Sequence, residues 1–319
     1  MEVIQSTEPK VSIIILNWNG KQDTSECLKS VQEIEYSNYE AVVVDNGSHD
    51  GSVEYFKNHF PEVTVVENNA NLGYAEGNNR GIAYAMSKGS DYIFLLNNDA
   101  IVDPYILKNF LQVASSRPEA GVFGAKIYHH KEPKKIWFAG GAWISETAQT
   151  SHVGSNQIDD EQWNEIRPID YACGCAILIK SEVIKKIGAL EAKYFLTWEE
   201  TDFCYKARRA GFECLFVPSA HVWHKVSASF NGGGMGLLYR YFIHRNRLLW
   251  IERNIPLSEK IRIYPKVILP EFISYLRVYI SPKTNPKARI EHKVNLVAFR
   301  DYIFRRFGDS PAWIRTTKV

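Results

Sequence analysis

Apolar residues in the first third of the chain come in short runs that stop on small, oxygen-bearing side chains. Val11–Leu16 ends on Asn17-Trp18-Asn19-Gly20, Glu40–Val44 on Asp45-Asn46-Gly47-Ser48, and the run from Tyr92 to Leu96 on Asn97-Asn98-Asp99. Runs of this length bounded by turn residues read as interior strands of a parallel sheet. Helix signals lie between them, over Asp23–Gln32, over Ser52–His59 and from Asn71 to about Lys88, with a short strand at Val63–Val66. A further helix starts near Pro104, a residue suited to a first helical turn. Alternating β and α elements predict an α/β fold, a parallel sheet with helices on both faces.

The pattern loosens after residue 125. Strands are expected at Ala125–Tyr128, Ile136–Phe138, Ile169–Ile179, Leu215–Val217 and Ala220–His224, with a polar, mobile loop around Gln149–Gln162. Helices are expected over Ser181–Ile187, closed by Gly188, and over Glu199–Ala210, closed by Gly211. A flexible break at Asn231–Gly236 precedes three stretches mixing aromatic, aliphatic and basic residues at helical spacing: Leu237–Arg253, Ile261–Ile280 and Val294–Phe307. Such stretches read as amphipathic helices with basic faces, lying on a membrane surface or packing on the body or another subunit. The chain therefore divides at about 125 and 235.

Composition fits a soluble globular protein, with 45% hydrophobic and 23% charged residues over 319 positions. Met1–Lys10 is polar and the apolar run after it is too short for a secretory signal, and no apolar stretch is long enough to span a bilayer. Five cysteines suit reduced thiols in a cytosolic setting, and Cys173-Gly174-Cys175 reads as core packing within a strand. Charge changes the picture more. Residues 236–319 hold 17 Lys/Arg against 6 Asp/Glu, whereas the net charge of the whole chain is only +2. A basic tail on an acidic body calls for an anionic partner. With the helical spacing, we expect a membrane surface and no nucleic acid.

Three polar strand ends in one parallel sheet converge on one crevice, where ligands of open α/β sheets bind. Asn and Asp oxygens suit hard cations such as Mg²⁺ or Mn²⁺, although each end alone reads equally as an Asx turn. The phosphate-loop pattern and the dinucleotide fingerprint are absent. Glu199-Glu200-x-Asp202 opens a helix, where acids complement the dipole and can also serve as a base.

These stretches resemble family 2 glycosyltransferases of the GT-A fold, particularly the rhamnosyltransferase-like and galactofuranosyltransferase-like branches. The likeness rests on Val11–Asn19, Val44–Ser52, Asn71–Asn79, Leu96–Asp99 and Trp198–Asp202, and spans about 11–230. It implies a Rossmann-like, mostly parallel sheet flanked by helices. Residues 1–125 would form the nucleotide-sugar-binding half and 126–235 the acceptor-binding half, followed by a basic amphipathic helical region at 236–319. The resemblance also implies inverting transfer from a nucleotide-diphosphate sugar, a UDP-sugar or dTDP-rhamnose, to a glycan or lipid-linked acceptor of cell-surface polysaccharide synthesis.

In residue terms, Asn17, Asn19, Asp45, Asn71, Gly73, Asn78 and Asn98 would form the donor site. Asp99, Asn97 and His224 would hold a divalent metal, with His221 the competitor of His224. Glu200 would be the general base, with Glu199 in reserve; Asp202 would be structural or meet the acceptor, and Trp198 would meet the acceptor. Asn97 departs from the family pattern, which carries Asp there. The expected setting is cytoplasmic and peripheral, at the inner face of the cell membrane, with a homo-oligomer open. The alternative is a non-catalytic nucleotide-sugar binder or membrane scaffold.

Overall fold

A computed structural model describes residues 8–225, 236–280 and 285–317. The expected break at 231–236 lies almost wholly outside them. Four parallel strands open the chain: β1 (Val11–Asn17), β2 (Tyr39–Asp45), β3 (Thr64–Glu67) and β4 (Tyr92–Asn97), in the order β4-β1-β2-β3. Helices α1 (Lys21–Gln32), α2 (Ser52–His59) and α3 (Gly73–Ser87) connect them. β1 and the inner parts of β2 and β4 are buried because helices cover both faces, and so they read as continuous apolar runs rather than alternating ones.

The same sheet continues into the second part of the chain. β5 (Ala100–Val102), α4 (Ile106–Ser116), β6 (Ala120–His129) and β7 (Glu132–Phe138) lead to a two-stranded hairpin, β8 (Gly141–Ile144) with β9 (Gln149–His152). After the short β10 (Arg167–Pro168) come β11 (Ala176–Lys180), α5 (Ser181–Ile187), α6 (Glu199–Arg209) and β12 (Glu213–His224). β11 is antiparallel between β4 and β6, and β12 is parallel to β6, so one mixed sheet of ten strands joins both halves.

Three expectations change here. The run Ile169–Ile179 is not one strand, because Cys173-Gly174-Cys175 turns before β11 begins. The polar stretch from Gln149 is partly hairpin, paired in register with Gly141–Ile144. Leu215–Val217 and Ala220–His224 are one strand, kept in the sheet by a register shift between Val217 and His221 that absorbs the Pro218 irregularity.

The C-terminal part is helical: α7 (Leu237–Asn254), α8 (Leu257–Ile280), α9 (Pro286–Ile303) and α10 (Ala312–Thr316). α7 takes the packing alternative rather than the membrane-surface one. It buries Tyr241, Phe242, Arg245, Asn246, Leu249 and Trp250 between the body and α9, so one of its basic residues is internal. α8 keeps an exposed apolar stripe of Leu257, Ile261, Leu269, Phe272 and Leu276.

Candidate active site

Register explains why the polar strand ends meet. Asn17 lies beside Asp45 across β1 and β2, and Leu16 beside Asn97 across β1 and β4. The side chains then link up. Asn17 Nδ2 donates to Asp45 Oδ1 at 2.8 Å and to Ser48 Oγ at 3.0 Å, while Thr24 Oγ donates to Asn17 Oδ1 at 2.7 Å. Asn98 Nδ2 donates to the same threonine oxygen at 3.0 Å. One chain of hydrogen bonds thus ties the ends of β2, β1 and β4. Asp45 Oδ2 also accepts from the amides of Gly47 and Ser48 at 3.1 and 2.9 Å, which leaves its further lone pairs for a ligand.

The proposed donor residues divide under this geometry. Asn17 is wholly buried and spent on scaffolding. Asn19 adopts a positive φ and caps the His49 amide at 2.8 Å. Asn71 Oδ1 accepts from Gly73 N at 2.9 Å, an Asx turn into α3. Asn78 returns its amide to the Tyr74 carbonyl one turn back, at 2.9 Å. Gly73, with φ 80°, is covered by residue 195: a Cβ on it would meet the Phe195 carbonyl at 2.5 Å. Sequence reasoning placed Asn46 and Ser48 at the strand end without giving either a role, and passed over Thr24. Asn46 is buried and joins Asn68, Asn71, Leu72 and Gly73; the strand-end pattern held it, but its partners are long-range. Trp18, 46% exposed at this mouth, is covered by the Arg315 guanidinium of α10 at 5.4 Å.

Asp99 follows β4, and β5 then pairs antiparallel with β12 so that Ala100 faces His224. Asp99 Oδ1 and His224 Nε2 are 3.0 Å apart, both buried, whereas His221 packs on Tyr128 instead. Burial pushes the Asp99 carboxyl up, but His224, its own amide and Lys225 outweigh this and hold it below the usual range. Among the described residues no group of three His, Cys, Asp or Glu side chains is placed to hold a metal ion. The 3.0 Å spacing of Oδ1 and Nε2 is that of adjacent ligands, which lie roughly 3 Å apart around an octahedral ion at about 2.0–2.1 Å.

The acid pair opens α6. Burial, then the neighbouring Glu200 charge, raises the Glu199 carboxyl well above its usual range. Glu200 is raised by burial too, but backbone amides of α6 and a hydrogen bond from Glu199 pull it back. Both carboxyls are thus pushed up by burial, and the backbone amides at the start of α6 offset part of that push at Glu200. One oxygen of each residue is buried with no partner. The Cys173–Cys175 turn joins the end of β4 to α3: Cys175 O accepts from Asn97 N at 2.9 Å, and Gly174 O accepts from Tyr74 Oη at 2.6 Å. A stretch read from sequence as strand is thus part of the crevice wall.

Two expected acceptor residues are internal. Asp202 has no exposed surface; its Oδ1 accepts from Asn254 at 2.7 Å and Tyr194 at 3.0 Å, with Arg253 3.5 Å away, and Lys206 is 3.4 Å from Oδ2. Trp198 is buried against Trp143 and Trp250. Both pin α6 to the C-terminal helices, which gives Asp202 the structural one of its two expected roles and corrects the expected contact of Trp198 with acceptor.

A mixed sheet with a polar crevice at its parallel strand ends, faced by a buried acid pair, is the framework of a GT-A glycosyltransferase. The family profile described as Glycosyl transferase family 2 matches residues 12–188. An uncharacterized glycosyltransferase, YibD of Escherichia coli K12, is 30% identical over 97% of this chain and 89% of its own length. A low-salt glycan biosynthesis hexosyltransferase, Agl10 of Haloferax volcanii, is 24% identical over 69% of each. Among solved structures, a mannosyltransferase from Pyrobaculum calidifontis in complex with GDP-Man and Mn²⁺ aligns at TM-score 0.58 and 14% identity, covering 94% of this chain and 89% of that one. The chain belongs to glycosyl transferase family 2 and has the GT-A fold. It is an enzyme, and the scaffold alternative falls away.

Proposed function

We propose that this enzyme transfers a sugar from a nucleoside-diphosphate donor to a glycan or lipid-linked hydroxyl with inversion, and that Glu200 is the general base. The observation that carries this reading is the acid pair in the first turn of α6, where Glu199 is buried and Glu200 keeps part of its surface exposed. Glu200 takes the acceptor hydroxyl proton as the new C–O bond forms and the bond from the anomeric carbon to the diphosphate breaks. Asp45 and Asn98 hold the nucleotide end of the donor, on the network that ties the strand ends. Asp99 and His224, with Asn97 beside them, would hold Mg²⁺ or Mn²⁺, which supplies positive charge for the departing diphosphate. The N-acetylglucosaminyl-diphospho-decaprenol L-rhamnosyltransferase of Mycobacterium tuberculosis, 25% identical over 59% of this chain, supports a lipid-linked acceptor.

The reading is tested by incubating the protein with UDP-glucose, GDP-mannose or dTDP-rhamnose and Mn²⁺ and measuring nucleoside diphosphate release. At least one donor should be turned over, and turnover should be lost in Glu200→Gln. If no donor is turned over, or that variant keeps wild-type turnover, the reading is wrong.

The exposed α8 stripe supports docking at an anionic membrane, because Arg262 and Lys266 lie beside its apolar side chains. No helix among the described residues is long and apolar enough to cross a membrane.

A further inference from the structure

The segment that delivers the acid pair is strained. Phe195, Thr197 and Trp198 all have positive φ, at 64°, 66° and 76°, and none is glycine. Left-handed backbone at bulky residues costs about 1–3 kcal/mol each and persists only where the surroundings impose it. Two neighbouring residues of α7, both without exposed surface, do so here. Asn246 Nδ2 donates to the carbonyls of Tyr194, Leu196 and Thr197 at 2.8, 2.8 and 3.0 Å. Arg245 Nη2 donates to Tyr194 O at 2.9 Å and to Lys193 O at 3.3 Å, and its Nη1 to Gly308 O at 2.7 Å.

The two side chains also fix each other. Arg245 Nε donates to Asn246 Oδ1 at 3.0 Å, so the amide can point only its N–H groups at the strap. The guanidinium lies over Tyr241, Phe242 and Phe307, with centroid distances of 5.2, 4.9 and 5.9 Å. On its other side the strap carbonyl of Phe195 accepts from Tyr74 N at 2.5 Å, and its ring stacks on Phe242 at 5.5 Å. The strap is therefore held between α3, which borders the donor crevice, and α7.

We infer that Arg245 and Asn246 are positioning residues for the reaction: they impose the left-handed turn at Thr197–Trp198 and thereby aim the Glu199–Glu200 pair. The family profile ends at residue 188, so this role belongs to a part of the chain beyond the matched core. The inference rests on the assignment of Glu200 as base.

The test compares wild type with Asn246→Asp, which keeps shape but turns an acceptor towards three carbonyls, and with Arg245→Lys, which keeps charge but loses the fork. Each variant is assayed for nucleoside diphosphate release with the donor that wild type uses, for donor binding with Mn²⁺ by thermal shift, and for amide hydrogen exchange over residues 194–201. We expect kcat to fall by about a hundredfold or more, the cost of misplacing a reacting group by an ångström. Donor KM should stay within about twofold, because Asp45 and Asn98 are held by the strand-end network of Asn17 and Thr24. Exchange across 194–201 should accelerate.

If Asn246→Asp fails to fold, Asn246→Ala combined with Thr197→Gly replaces it. Glycine relieves the left-handed turn, so the pair should recover part of the kcat lost in Asn246→Ala alone. A parallel loss of donor binding, an unchanged kcat, or no recovery in the pair would overturn the inference. If wild type turns over no donor yet exchange still accelerates in the variants, the clamp stands and the assignment of the base fails.

Discussion

The two glutamates of the acid pair should respond oppositely to the same substitution. Glu200→Gln removes the carboxylate that accepts the hydroxyl proton. General-base catalysis contributes about 10²–10⁴ in rate, or roughly 2.7–5.4 kcal/mol of barrier at about 1.36 kcal/mol per decade. Glu199→Gln removes almost nothing by comparison. Burial and the neighbouring Glu200 charge push the Glu199 carboxyl well above its usual range, so a neutral glutamine of the same shape fits its place. We expect Glu199→Gln to keep transfer within about tenfold of wild type and Glu200→Gln to lose at least about a hundredfold, with donor KM little changed in both. Steady-state transfer measured across pH is the assay. Because burial raises Glu200, the acid limb of kcat/KM should lie above the ordinary Glu value of about 4.3. The stability sign follows from Glu199. Its pKa is raised on folding, so its contribution is complete below the unfolded value and is lost as pH rises towards the folded one. Glu199→Gln should flatten the pH dependence of thermal stability over that interval. Loss of transfer in Glu199→Gln together with survival in Glu200→Gln would refute the assignment.

Asp99→Ala should abolish the Mn²⁺-dependent part of donor binding seen by calorimetry, and unchanged binding would remove the metal from this pair. Asp202→Ala should destabilise the fold by about 3–5 kcal/mol, the cost of breaking a buried charged network, as read by denaturant unfolding. If instead it unfolds like wild type and only acceptor KM rises, Asp202 meets acceptor after all. Gly73→Ala places a Cβ against the Phe195 carbonyl at a backbone angle hostile to side chains, so kcat and melting temperature should fall together. Leu269→Glu with Phe272→Glu alters residues 54% and 53% exposed, so sedimentation with phosphatidylglycerol vesicles should drop while folding holds. Equal sedimentation would leave the α8 stripe with another partner. Deleting everything after Arg253 is a poorer probe, since it would also strip Gly308 from Arg245.

Much of the framework is legible along the chain because the information is local. Ser52–His59 and Ser181–Ile187 match their predicted spans, and the strand ends at Asn17, Asp45 and Asn97 are marked by where apolar runs stop. What sequence could not show depends on partners far along the chain. The Asx side chains look alike in sequence, yet Asn17 is sealed under the crevice while Asn98 reaches Thr24 across 74 positions. Asp202 sits two residues from the acid pair, but helical geometry turns it towards Tyr194 and Asn254. The basic character of α7 suggested a surface, and Arg245 proves internal because carbonyl oxygens, not carboxylates, solvate it.

The contact between Arg245 and the Gly308 carbonyl also sets an order of events during synthesis. Nascent chains fold from the N-terminus as they emerge, at about 5–20 residues per second. The strand-end crevice is complete once β12 has been made, but the turn ahead of Glu199 is held by a guanidinium whose own anchor is Gly308. From His224 at the end of β12 to Gly308 is 84 residues, or about 4–17 s of synthesis. A nascent chain would thus complete the strand-end crevice before the turn that carries the acid pair is fixed.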